Sequence, residues 1–190
     1  YKEKYDKLIL SPGARPIVPN IPGIENVNVF TIRNVVDMDK LNRFIQELQA
    51  KDIAVIGGGY IGVEACENLV EGGYNTSLIE ATPQILKPFD YDMVQILHKE
   101  MTDHGVNLIV DDKVTSFEKD TVILASGKKI KANAVVMAIG VTPEIELAKN
   151  AGLENGETGA IKVDHNYKTS ANDIYAVGDE FEVYNVLTHS

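Results

Sequence analysis

The 190 residues are 44% apolar and 24% charged, an ordinary globular balance that excludes a disordered chain. A net charge of −10 argues against a nucleic-acid partner and against a membrane partner with anionic lipids. The apolar runs, such as residues 134–139, are far shorter than the ~18 residues of a membrane span.

The chain opens on Tyr1-Lys2-Glu3, with no methionine and no basic-then-apolar pattern, as an excised piece of a longer protein would. Residues 6–10 read as a short buried strand ended by Ser11-Pro12-Gly13. Pro16, Pro19 and Pro22 then impose an extended connector. Residues 27–32 predict an edge strand, and the apolar spacing over 34–49 predicts a helix with one wet face. A strand at 53–56, a glycine turn, a helix over 60–72 and a strand at 76–80 make a βαβ unit of about 29 residues. A helix over 92–104 follows, then strands at 107–110, 113–118 and 121–125. Asp111-Asp112 reads as a hairpin turn, and Ser126-Gly127 as another. A buried strand at 133–139, a short helix at 144–151 and strands at 161–163 and 174–177 complete the chain. This alternation predicts an α/β fold: a Rossmann-type parallel sheet of βαβ units with a small antiparallel insert.

The turn Gly57-Gly58-Gly59-Tyr60-Ile61-Gly62 carries the most chemistry. Gly57 permits the tight turn at the strand end. Gly59 lets a pyrophosphate approach the backbone, and Gly62 lets the helix pack closely on the sheet. The helix starting there aims unpaired N–H groups and its positive dipole end at phosphate. Glu80 closes the second strand, where its carboxylate can accept hydrogen bonds from the adenosine ribose. A carboxylate there repels a 2′-phosphate, and residues 81–84 supply no arginine to neutralise one, so NADH is expected over NADPH.

With two further segments, these residues resemble the flavin-dependent pyridine-nucleotide disulfide reductases, in the branch of NADH oxidases and coenzyme A-disulfide reductases. Residues 5–16 match the family's strand and turn leading from the FAD domain, although Ser11-Pro12 replaces the usual Ala-Thr. Residues 169–179, ending in Gly178-Asp179, look like its second FAD motif, and residues 137–144, with Gly140, like its turn beside the nicotinamide nucleotide. The resemblance implies a flavoenzyme's NADH-binding domain at 29–148, flanked by returning FAD-domain segments at 1–28 and 149–190. It places a first FAD fingerprint, a redox cysteine and a C-terminal dimerisation domain in the remainder of a homodimeric chain.

Gly57, Gly58, Gly59, Tyr60, Ile61, Gly62, Glu64, Glu80 and Gly140 are thus the expected NADH residues. Gly13, Gly178 and Asp179 are expected at FAD in the complete enzyme. By resemblance Tyr60 covers the nicotinamide face of the flavin, and Glu64 approaches flavin or nicotinamide. In the complete enzyme hydride passes from NADH to FAD and on to a disulfide, such as coenzyme A disulfide, or to oxygen. No catalytic residue is expected in the 190 residues themselves. Rubredoxin, ferredoxin or nitrite reductase flavin subunits share these motifs, and a non-catalytic nucleotide-binding module is the alternative of another class. The one cysteine, Cys66, falls inside the Rossmann helix and reads as a buried structural thiol, in keeping with a reducing, cytoplasmic setting. His98, His104, His165 and His189 lack metal spacing and read as surface residues, His104 as a helix C-terminal cation. Residues 1–28 and 151–190 hold too few strands for a separate core, yet 6–10 and 174–177 suit neighbouring places in one sheet.

Overall fold

Glycine and proline cut the apolar sequence into brief strands and mid-length helices, seen in a computed structural model that describes residues 1–183. The chain begins with β1 (Leu8–Leu10), β2 (Ala14–Pro16), β3 (Val29–Phe30) and helix α1 (Val35–Glu47). Then come β4 (Asp52–Ile56), α2 (Tyr60–Glu71), β5 (Asn75–Ile79), α3 (Tyr91–Asp103) and β6 (Asn107–Ile109). A run of short strands follows: β7 (Val114–Glu118), β8 (Thr121–Leu124), β9 (Lys129–Lys131), β10 (Ala134–Met137) and β11 (Val141–Pro143). Helix α4 (Glu146–Asn150), β12 (Ile161–Lys162), β13 (Ile174–Ala176) and β14 (Phe181–Glu182) end the described chain.

Two compact units result: Pro16–Gly140, and residues 1–15 together with the chain from Val141 onward. The first is built on a parallel sheet in the order β3-β10-β4-β5-β6. The two-residue alternation of strands divides its side chains between two cores. Ile53 and Val55 of β4 join Ala134 and Val136 of β10 under α1, α2 and α3, against Leu41, Ala65, Cys66, Leu69 and Met101. Ala54, Ile56, Val135 and Met137 face the other way, onto Phe117, Val122, Leu124 and Ile130 of the antiparallel sheet β7-β8-β9. Each fully buried Ile, Leu or Val here contributes roughly 1.5–3 kcal/mol. The α/β fold, with its parallel sheet and antiparallel insert, is therefore as the sequence indicates.

Three details differ from the sequence reading. The insert gains a third strand, β9, and β11 pairs with β2 in a separate ladder. Asp111-Asp112 is not a hairpin turn: β6 and β7 belong to different sheets, so these residues carry the chain from one to the other. In the second unit β1 and β13 are parallel neighbours, Leu8 opposite Ile174 and Leu10 opposite Ala176, as their apolar runs suggest. That unit also has a small core of its own, with Leu10, Ala148, Leu153, Ile161, Val163 and Ala176 buried together. The sequence reading missed it because α4, β12 and β14 are too short to display a period. Among the described residues no helix is long and apolar enough to cross a membrane.

Candidate functional site

In the parallel sheet the chain runs from β4 through β5 to β6 on one side, while β10 and β3 lie on the other. The carboxyl ends of β4 and β10 therefore form a topological switch point, where open α/β sheets bind ligands. The glycine turn crosses this point. Gly57 has φ +108°, and a Cβ there would lie 2.4 Å from the Ala138 carbonyl oxygen at the end of β10. Gly62 is equally constrained, since a Cβ would meet the Gly57 carbonyl oxygen. At Gly59, by contrast, a Cβ would find nothing within 4 Å. That side of the turn is open.

The two neighbouring helices begin differently. Asn34 caps α1 by accepting the Asp37 N–H at 3.1 Å, with Asp37 itself in the first turn. Helix α2 has neither a side-chain cap nor an acidic residue in its first turn. Among the described residues the N–H groups of Gly59, Tyr60 and Ile61 have no hydrogen-bond partner in the chain. Uncapped donors and an uncompensated dipole end make this a place for an anion.

The residues after β5 clamp the turn. Glu80 Oε2 accepts the Gly58 N–H at 2.7 Å, and Oε1 accepts the Thr82 N–H at 2.8 Å. The Thr82 hydroxyl lies 2.9 Å from both Oε1 and the Gln84 carbonyl, so its one proton serves either. The Gly58 carbonyl accepts the Leu86 N–H at 2.7 Å, and the Ile85 side chain fills the space beneath Gly58. Glu80 thus braces the glycine turn, a role its place in the sequence does not disclose. A groove of about 320 Å³ opens beside it, lined by Gly57, Glu80, Ala81, Lys113 and Ile139 among others.

Other expected residues stand apart. Tyr60 is 62% exposed at the start of α2, its ring edge-on to Phe89 at 6.3 Å. Ile61 is also exposed, and Glu64, one turn on from Tyr60, points into solvent. Gly140 has φ +125°, and its carbonyl accepts the Ile17 N–H at 3.0 Å. In the other unit Gly13, with φ +73°, donates its N–H to Glu180 Oε2 at 3.0 Å. Gly178 (φ +115°) and Asp179 are exposed, whereas Glu180 is fully buried. Its Oε1 has no partner among the described residues. Glu180, Thr82 and Lys113 are the residues that sequence reasoning missed.

Cys66 is fully buried, and burial pushes its thiol up to about 12, as expected of a structural thiol. His104 follows α3, its Nδ1 2.9 Å from the Glu100 carbonyl; that bond and the Glu100 charge raise its pKa. His165 is exposed, and His189 lies outside the described residues. His98 is not the surface residue expected. Half-buried, it accepts the Ile85 N–H through Nε2 at 3.3 Å, and burial lowers its pKa below 6.5. Its neutral form therefore contributes stability above pH 6.5 that is lost as pH falls through the depressed folded value. Thermal unfolding followed from pH 7.5 to 5 should show a falling acid limb that His98→Asn flattens. An unchanged limb would remove His98 as its cause.

These features define a Rossmann-type α/β unit with an anion-ready glycine turn. The chain belongs to the pyridine nucleotide-disulphide oxidoreductase family, whose profile matches residues 1–189. It is 36% identical to an NADH oxidase of Methanocaldococcus jannaschii over 99% of this chain and 43% of that protein. The reduced CoADR-RHD of Bacillus anthracis superposes with a TM-score of 0.93 and 47% identity, covering 100% of this chain and 35% of that one. The water-forming NADH oxidase of Lactobacillus brevis, bound to NADH, gives 0.85 and 34%, covering 99% and 42%. An engineered form of it, bound to NADPH, gives 0.86 and 32% over the same shares and carries Gly→Ala, Asp→Ala, Ala→Arg, Met→Ser and Pro→Arg substitutions. The chain spans about two fifths of the length of the curated relatives it matches.

Proposed function

We propose that the chain is the NADH-binding part, with adjoining pieces of the FAD domain, of a flavin-dependent oxidoreductase. The complete enzyme passes hydride from NADH to FAD and on to a disulfide, such as coenzyme A disulfide, or to oxygen. The observation that carries the reading is the uncapped start of α2 above the open side of Gly59, with Glu80 beside it. The N–H groups of Gly59, Tyr60 and Ile61 hold the pyrophosphate, and Glu80 holds the turn while facing the ribose. Gly57, Gly58 and Gly62 give the turn its shape, Gly140 flanks the nicotinamide side, and Tyr60 and Glu64 lie toward the flavin.

The unit Pro16–Gly140 is then the NADH domain, and the rest belongs to the FAD domain. FAD suits the residues there. The buried Glu180 carboxylate, which accepts the Gly13 N–H on Oε2, keeps Oε1 without a partner among the described residues, and the ribityl chain of FAD carries hydroxyls that donate. Gly13 leaves room for the cofactor, since a Cβ there would meet nothing within 4 Å, Gly178 makes the close turn against Ser11 and Glu180, and Asp179 orients the cofactor. When bound, FAD supplies the two-electron acceptor. A cytoplasmic homodimer, with dimer contacts outside these residues, completes the reading.

In the engineered NADPH-bound relative the five substituted positions have the spacing that joins Gly62, Glu80, Ala81, Thr82 and Lys87 here. The substitution at the Glu80 place removes an acid, which supports NADH for a chain that keeps one, whereas the substitution at the Lys87 place adds a cation of the kind this chain already carries. Calorimetric titration of the chain should give one NADH site, weaker NADPH binding and no turnover. Absent NADH binding, or tighter binding of NADPH, overturns the reading.

A further inference from the structure

Glu80 is not the only charge at the ribose groove. Three backbone hydrogen bonds sew its loop to the turn after β6. The Glu80 N–H donates to the Ile109 carbonyl at 2.8 Å, the Asp111 N–H to Thr82 at 2.9 Å, and the Asp112 N–H to Glu80 at 3.3 Å. The chain cannot leave β6 without passing Glu80, and the next residue, Lys113, lines the same groove as Gly57, Glu80 and Ala81.

Among the described residues nothing employs the Lys113 ammonium. It has no ion pair among them, whereas Lys129 and Lys131 of β9 bind Glu118 and Asp52. Its neighbour Asp112 is engaged elsewhere, accepting the Ser126 N–H at 3.0 Å and the Ser126 hydroxyl. Glu80 already holds two N–H donors and a share of a hydroxyl, so it needs no cation. The groove mouth therefore carries an engaged carboxylate and an unengaged ammonium.

We infer that Lys113 is a specificity-determining residue that accepts the 2′-phosphate of NADPH, so that the site takes both pyridine nucleotides with NADH preferred. This rests on the NADH reading of the glycine turn and extends it. A carboxylate alone would repel a 2′-phosphate, and a lysine lining the same groove offsets that repulsion as a point charge. The ribose 2′-hydroxyl of NADH gives an ammonium no charge to meet, so Lys113 matters little to NADH.

The test titrates NADH and NADPH into the unsubstituted chain, Lys113→Gln and Lys119→Gln, at low and high salt. Lys119→Gln makes the same charge change in the β7–β8 turn, outside the groove lining. NADPH should bind the unsubstituted chain within about tenfold of NADH at low salt, and that gap should widen as salt screens the ammonium. Lys113→Gln should weaken NADPH about tenfold and NADH less than about twofold, while Lys119→Gln moves neither. Equal weakening of both nucleotides would place Lys113 at a group they share, and no change would leave it a solvated lysine. Either result overturns the inference while leaving NADH binding by the unsubstituted chain intact. Absence of that NADH binding would instead bring down the underlying reading, and this inference with it.

Discussion

Replacing Gly57 by alanine is expected to weaken NADH binding at least ~100-fold and to destabilise the Pro16–Gly140 unit by about 2–4 kcal/mol. Two independent faults combine. At φ +108° an L-residue is strained, and the added methyl would lie 2.4 Å from the Ala138 carbonyl oxygen and 2.9 Å from Ile139 Cα. Both obstacles are backbone, at the end of a strand buried on both faces, so the turn must move and carry the start of α2 with it. Gly59→Ala is the complementary case. Its φ of −78° suits any residue and its Cβ meets nothing, so stability should hold within ~0.5 kcal/mol. Its methyl would nevertheless stand on the open side, and NADH should weaken about tenfold. Calorimetry with denaturant unfolding separates the two. A Gly57→Ala protein that bound NADH within about threefold of the parent would show that the turn is not the site.

The contrast between these glycines also shows what a sequence can disclose. The motif was legible because each glycine answers a local demand set within a few residues: strand end, close approach, helix start. The pairing of residues 8–10 with 174–176 was legible too, since two apolar runs between turn signals have few places to go. Strand β9 was not: Lys129-Ile130-Lys131 has one apolar residue, and its pairing is set by the register of Val122 opposite Ile130. Lys113 was hidden for a different reason. It meets the Glu80 groove only because β5 and β6 are parallel neighbours, with Ile79 opposite Ile109. Local reading searched residues 81–84 for a cation, and the fold supplies one from the next strand's exit. Glu180 was passed over because its neighbour Asp179 matched a motif, while burial singles out the residue beside it.

Glu80 tests whether the bracing role is real. Glu80→Gln should lower the stability of the unit by about 2–3 kcal/mol and weaken NADH ~30-fold or more. The carboxylate receives N–H donors on different oxygens, Gly58 on Oε2 and Thr82 on Oε1. A glutamine has only one oxygen, so in either orientation its NH₂ must face one of those donors. One part-buried N–H loses its acceptor, the charge assistance of the other bond disappears, and the turn loses the clamp that holds Gly58 against Ile85. At 2–4 °C per kcal/mol for a protein of this length, the melting temperature should fall by roughly 5–10 °C. The substitution also removes the negative charge facing a 2′-phosphate. NADPH should therefore weaken less than NADH, shifting the preference toward NADPH even as both bind less tightly. A carboxylate that served only the ribose would give a different pattern, with NADH affinity lost and the melting temperature of the ligand-free protein unchanged. Thermal unfolding without nucleotide, beside titrations with both nucleotides, decides between a ribose ligand alone and a residue that also builds the turn it serves.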